Sequence, residues 1–69
     1  MAWRAVKARY LLRVLQKIGW RVVRQRGSHR ILSRSGWADM TFAFHDTEEI
    51  GPRMLAKIAK VTGLQDDNL

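Results

Sequence analysis

The chain has no cysteine, one proline, and no Asp or Glu before position 39. Without cysteine there is no disulfide or thiolate–metal framework, so the fold must hold by packing alone. That composition fits a reducing compartment, and the cytoplasm is the expected location. No apolar run reaches the roughly 20 residues of a membrane-spanning helix, so no membrane association is expected. The basic N-terminus leads into neither a continuous apolar segment nor a small-residue cleavage site, and no secretory signal is expected. The 69 residues suffice for a single domain over 1–69, with its core at about 4–64 and a frayed tail expected at 65–69. A chain this short buries a limited share of its surface, so the core should be small.

The missing early acid makes the charge lopsided. Residues 1–38 carry ten Lys/Arg and no acid, whereas residues 39–69 carry three basic and six acidic side chains. The net charge is +7, and nine of the thirteen cations are arginine. Such a balance points to a polyanionic partner, nucleic acid above all. Two histidines and six scattered carboxylates offer no metal-ligand spacing, so neither a metal nor another cofactor is expected.

From Arg4 to Ile18 the apolar positions Val6, Tyr10, Leu11, Val14, Leu15 and Ile18 recur at helical spacing, with Gly19 as the C-terminal cap. Trp3 either folds back onto this helix or belongs to a loose arm. Trp20–Gln25 and Ser28–Arg34 read as strands joined by a two-residue turn at Arg26-Gly27. Ser35-Gly36 forms the next turn, and Asp39–His45 alternates Met40, Phe42 and Phe44 with polar or small residues as a third strand. Asp46–Gly51 reads as a polar loop. Gly51-Pro52 opens a second helix, because proline is tolerated at the first helical position. Met54, Leu55, Ile58, Ala59 and Val61 are expected to face inward on it, and Arg53, Lys57 and Lys60 outward. Gly63 caps it, with Leu64 packing back, and Glu48-Glu49 favour its dipole. The expected fold class is α+β in the order α-β-β-β-α. A three-stranded antiparallel sheet carries two helices on one face, as in the double-stranded-RNA-binding-domain topology.

The chemistry concentrates in Arg24-Gln25-Arg26-Gly27-Ser28-His29-Arg30. Histidine moves protons near neutral pH and arginine holds phosphate, so a histidine among arginines on a turn suggests phosphodiester chemistry. With Arg26-Gly27 as the turn, Arg24 pairs with His29 and Val22 with Ile31. Trp20, Val22, Arg24, His29, Ile31 and Ser33 then share the helix-covered face, with His29 and Arg24 at its rim. His45 points away from His29. RNA cleavage without a metal needs a base for the 2′-OH, a cation for the phosphorane and an acid for the 5′-oxygen. His29 can serve as base or acid, and Arg24, Arg26 or Arg30 can hold the phosphorane. Gly27 and Ser28 are also explained by turn geometry alone. Trp37, beside a turn, is a stacking candidate, whereas Trp20 suits the core.

The runs G-W-R-V-V-R-Q-R-G-S-H-R-I, F-A-F-H and E-E-I-G-P-R-M-L-A-K-I-A-K-V-T-G-L resemble the HicA (YcfA-like) toxin family over about residues 7–64. The G-S-H step after a basic strand is the most specific feature. The resemblance implies an mRNA interferase, the toxin of a type II toxin–antitoxin pair, which cleaves single-stranded mRNA without a required metal and inhibits translation. It places the catalytic histidine on His29, with Gly27 and Ser28 completing the motif. The family's second histidine matches His45, where Ala43 replaces the usual proline. The candidate RNA-binding cations are Arg24, Arg26, Arg30, Lys7, Arg13 and Lys57. The implied partners are mRNA and a HicB-like antitoxin that masks His29, and the toxin alone is expected to be a monomer. A non-catalytic RNA-binding module, or a domain that only binds a partner, are the other readings.

Overall fold

A computed structural model describes residues 3–69. The elements run β1 (Val6–Lys7), α1 (Ala8–Lys17), β2 (Arg21–Arg26), β3 (His29–Ser33), β4 (Met40–Phe42), β5 (Glu49–Ile50) and α2 (Pro52–Thr62). A 3-10 turn at Asp66–Asn68 follows. β2, β3 and β4 form an antiparallel meander, and β1 pairs with β5 in a separate two-residue ladder. The α+β architecture, with two helices and a three-stranded antiparallel sheet, matches the sequence expectation.

Helix α1 buries Ala8, Leu11, Val14 and Leu15, one stripe at three- and four-residue spacing. α2 buries Leu55, Ile58 and Thr62. These meet Trp20, Leu32, Phe42, Ile50 and Leu64 in one core. The C-terminal end of α2 is a junction. The Thr62 carbonyl accepts from Trp20 Nε1 and from Arg34 Nη1, each at 3.0 Å. Gly63 follows at φ 75°, and Trp37 lies so close that a Cβ there would meet its ring at 2.8 Å. Only glycine satisfies both the left-handed backbone and that approach.

Several expectations are corrected. The first helix begins at Ala8, not Arg4, because the amides of Ala8 and Arg9 donate to the Glu48 and Asp46 carbonyls and Val6 pairs with Ile50. The same ladder turns part of the 46–51 loop into β5. Glu49 therefore lies opposite Lys7, and no acid occupies the first turn of α2. The third strand stops at Phe42. Met54 and Val61 are exposed rather than inward. The tail is held: Tyr10 donates its hydroxyl to the Leu69 carbonyl at 2.7 Å, and Leu69 packs against the core. Trp3 also packs on the core.

The hairpin register differs most. The pairs are Arg26 with His29, Gln25 with Arg30 and Arg24 with Ile31; then, past Val23, Val22 with Leu32 and Arg21 with Ser33. The two turn residues are Gly27 and Ser28, with Gly27 at φ 60°. Glycine in the first central position is the pattern of a type II′ turn, whose twist suits a hairpin. Val23 is the extra residue of a β-bulge.

Candidate active site

Opposed residues in an antiparallel pair share a face, so the register sorts the side chains. Leu32 and Phe42 are fully buried and mark the helix-covered face. Val22, paired with Leu32, and Arg30, paired with Phe42, belong to it. The opposite, open face carries His29, Ile31 and Ser33 from β3, Thr41 from β4, and Arg21, Arg24 and Arg26 from β2. His29 thus lies on the open face and not at the rim of the helix-covered one. The cause is the turn one residue later than the sequence suggested, since a shift of that size exchanges faces.

On this face His29 is exposed and directly opposite Arg26. Arg24, Gln25, Arg26, His29 and Ile31 line a shallow cavity of about 220 Å³. The strand residues of this face include no carboxylate, so the three arginines leave a cationic field around the imidazole. A phosphodiester laid here would meet two guanidinium groups for its charge and one side chain, His29, able to act as base or as acid. Arg21 was not among the sequence candidates, because simple alternation puts it on the face opposite Arg24. The bulge at Val23 brings both to one side. Two adjacent apolar residues, Val22 and Val23, break the alternation of the strand and are a weak signal for it.

Arg30, a sequence candidate for holding the phosphorane, lies on the other side of the hairpin from His29, as alternation along β3 requires. Its Nη2 donates to Asp46 Oδ1 at 3.1 Å, and its side chain is only 14% exposed. Its Nη1 is buried without a partner. Gly27, Ser28, Arg30, Phe44, His45 and Asp46 surround a second hollow there. The two histidines therefore border different hollows on either side of one turn. His45 is held by its backbone: its N–H donates to Glu48 Oε1 at 3.2 Å, and its carbonyl accepts from the Glu48 amide at 2.9 Å.

The remaining cationic candidates are dispersed. Lys7 is in β1, with Nζ donating to the Thr47 carbonyl at 3.3 Å. Arg13 and Lys57 are exposed on α1 and α2, in the helical layer behind the sheet. Trp37 is 40% exposed and meets the Trp20 ring edge-on, with centroids 6.2 Å apart. The Arg34 guanidinium lies 5.1 Å from its centroid, so one ring face is taken before any base arrives. Among the described residues, no group of three or more His, Cys, Asp or Glu could hold a metal ion. No helix of the described residues is long and apolar enough to cross a membrane.

Comparison with known proteins agrees with the resemblance carried by the G-S-H run. A family model described as HicA toxin of bacterial toxin–antitoxin matches residues 8–64, most of the chain, which therefore belongs to that family. No curated protein and no solved structure matches it.

Proposed function

We propose that this HicA-family toxin is a metal-independent endoribonuclease that cleaves single-stranded mRNA with His29 and so inhibits translation, until a HicB-like antitoxin neutralises it. The observation that carries the reading is the placement of His29, exposed and opposite Arg26 on a sheet face without carboxylates. The proton of the ribose 2′-OH passes to His29, and the oxygen attacks the adjacent phosphorus. The P–O5′ bond breaks as the leaving 5′-oxygen takes a proton from solvent water, leaving a 2′,3′-cyclic phosphate and a 5′-hydroxyl, and His29 returns its proton to solvent. Arg26 and Arg24 carry the charge that grows on the phosphorane oxygens. Gly27 and Ser28 set the turn that holds His29 in place. The protein acts in the cytoplasm, as a monomer when its antitoxin is absent.

His29→Ala tests this directly. Cleavage of a single-stranded RNA and growth inhibition should fall by about 100-fold or more, the usual weight of one acid–base group. The circular dichroism spectrum and most RNA affinity should remain. Cleavage as fast as the parent's would overturn the assignment of His29. Strong inhibition by EDTA would overturn metal independence. A parent protein that never cleaves RNA but binds it with steep salt dependence would instead be a binding module.

A further inference from the structure

A wide hollow lies away from His29, between β4 and α2. It holds about 570 Å³, and its lining is apolar (Trp37, Met40, Phe44, Met54 and Val61 foremost) apart from Thr41 and one charge of each sign, Asp39 and Lys57. Among the described residues, Trp37, Met54 and Val61 are three of the five large apolar side chains left exposed. Such a gathering of apolar surface is uncommon on a surface with nothing to bind. On a helical wheel at about 100° per residue, Met54 and Val61 fall about 20° apart, beside Lys57 and away from the buried Leu55 and Thr62. Arg53 and Lys60 continue the cationic flank. Beside this groove runs a sheet edge: β4 is outermost in the order β2-β3-β4. Among the described residues, its far side has no strand partner. An unpaired edge next to an apolar groove is a template for an added strand.

Charge selects the occupant. A second copy would bring +7 against +7 and set Lys57 of each α2 beside a like charge. RNA has phosphates but few apolar side groups to fill a groove lined by Met, Phe and Val. An extended protein segment that alternates apolar and acidic residues satisfies the edge, fills the groove with one set of side chains and meets the cationic open face with the other. We propose that the antitoxin anchors here, adding one extended segment to the free edge of β4 with its apolar side chains in the groove and its alternating carboxylates on the opposite, open face, toward the arginines around His29. This rests on the toxin reading above, because it takes the antitoxin as the partner. The added strand extends the sheet beyond β4. Its alternate side chains project on the same open face as Thr41 and His29, which links anchoring to masking of the cationic face.

The test is titration of its separately purified HicB-like antitoxin into the toxin and into the Val61→Glu and Met54→Glu variants. Both sites are exposed, so both variants should keep the parent's melting temperature within a few degrees and its RNA cleavage unchanged. Antitoxin affinity should fall at least tenfold in each, and amides of residues 40–42 should gain hydrogen-exchange protection in the parent complex. Unchanged affinity in both variants, or no added protection at 40–42, would refute the docking site. Loss of affinity on Arg24→Glu with none on Val61→Glu would place the antitoxin on the His29 face instead. Both of those results leave RNA cleavage by His29 untouched, whereas a parent toxin that binds no antitoxin would sink the partner reading itself. A toxin that sediments as a dimer alone, and as a monomer after Val61→Glu, would assign the groove to a second copy.

Discussion

His29 and Arg30 are consecutive in the chain and end on opposite sides of the sheet. His29 faces open solvent across from Arg26, while Arg30 lies on the helix-covered side with Asp46 on one nitrogen. Two of the chain's basic groups, one step apart, thus have unrelated work. The first stands where a polyanion can reach it. The second ties the hairpin to the turn after β4, at the cost of leaving Nη1 buried and without a partner. Charge density along the sequence is therefore a poor map of the cationic surface. What makes that surface is strand parity, and parity here depends on one turn and one bulge.

The largest effect that separates the two faces concerns packing. Leu32 is fully buried beneath the helices, and Ile31, its neighbour, is half-buried on the open side. Leu32→Ala should lower unfolding free energy by about 2–5 kcal/mol, as a cavity-forming core substitution. Ile31→Ala should cost less, about 1–2 kcal/mol, because part of its side chain already lies in water. Urea denaturation of the two variants measures the difference. Equal losses, or a larger one at Ile31, would mean that the register is the one with His29 on the helix side.

The arginines sharpen the comparison at a smaller scale. Arg26→Ala should weaken RNA binding and lower the slope of log affinity against log salt by about 1, as one phosphate contact does. Arg30→Ala should leave that slope unchanged. Its loss should appear as stability, about 1 kcal/mol or less, because Asp46 is 56% exposed and water screens the pair. Fluorescence titrations at several salt concentrations read the first effect and thermal melts the second. The reverse pattern would put Arg30 in the RNA site and Arg26 out of it.

How much of this was legible beforehand differs by element. The stripe of Leu11, Val14 and Leu15, the proline opening α2 and the glycine closing it were readable, because local spacing and caps decide them. The G-S-H run identified the family. The face of His29 was not readable, since Arg26-Gly27 and Gly27-Ser28 are both acceptable two-residue turns with glycine in a different place. Nor was the β1–β5 ladder: Val6 and Lys7 continue a helical pattern, and only pairing with Glu49 and Ile50, more than forty residues away, draws them out of it. For α2, five apolar residues were assigned to one side. They span too much of the helix circumference for a single buried stripe, and the excess, Met54 and Val61, became the groove.

The smallest expected effect tests the bulge itself. Val23 stands between two runs of regular pairing, with Val22 opposite Leu32 on one side and Arg24 opposite Ile31 on the other. Removing it would join those runs without changing a single pair. Val22 would still face the helices, and Arg21, Arg24 and Arg26 would still share the open face with His29. Deleting Val23 should therefore retain RNA cleavage within a few-fold. The stability change should be about 1 kcal/mol or less, reflecting lost local twist against a more regular ladder. Most single-residue deletions inside a strand reverse every side chain beyond the gap. If deletion of Val23 does so here, Arg24 and Arg26 turn under the helices and cleavage falls with stability. That outcome would show that Val23 is an ordinary member of the ladder and that the three arginines do not share a face with His29.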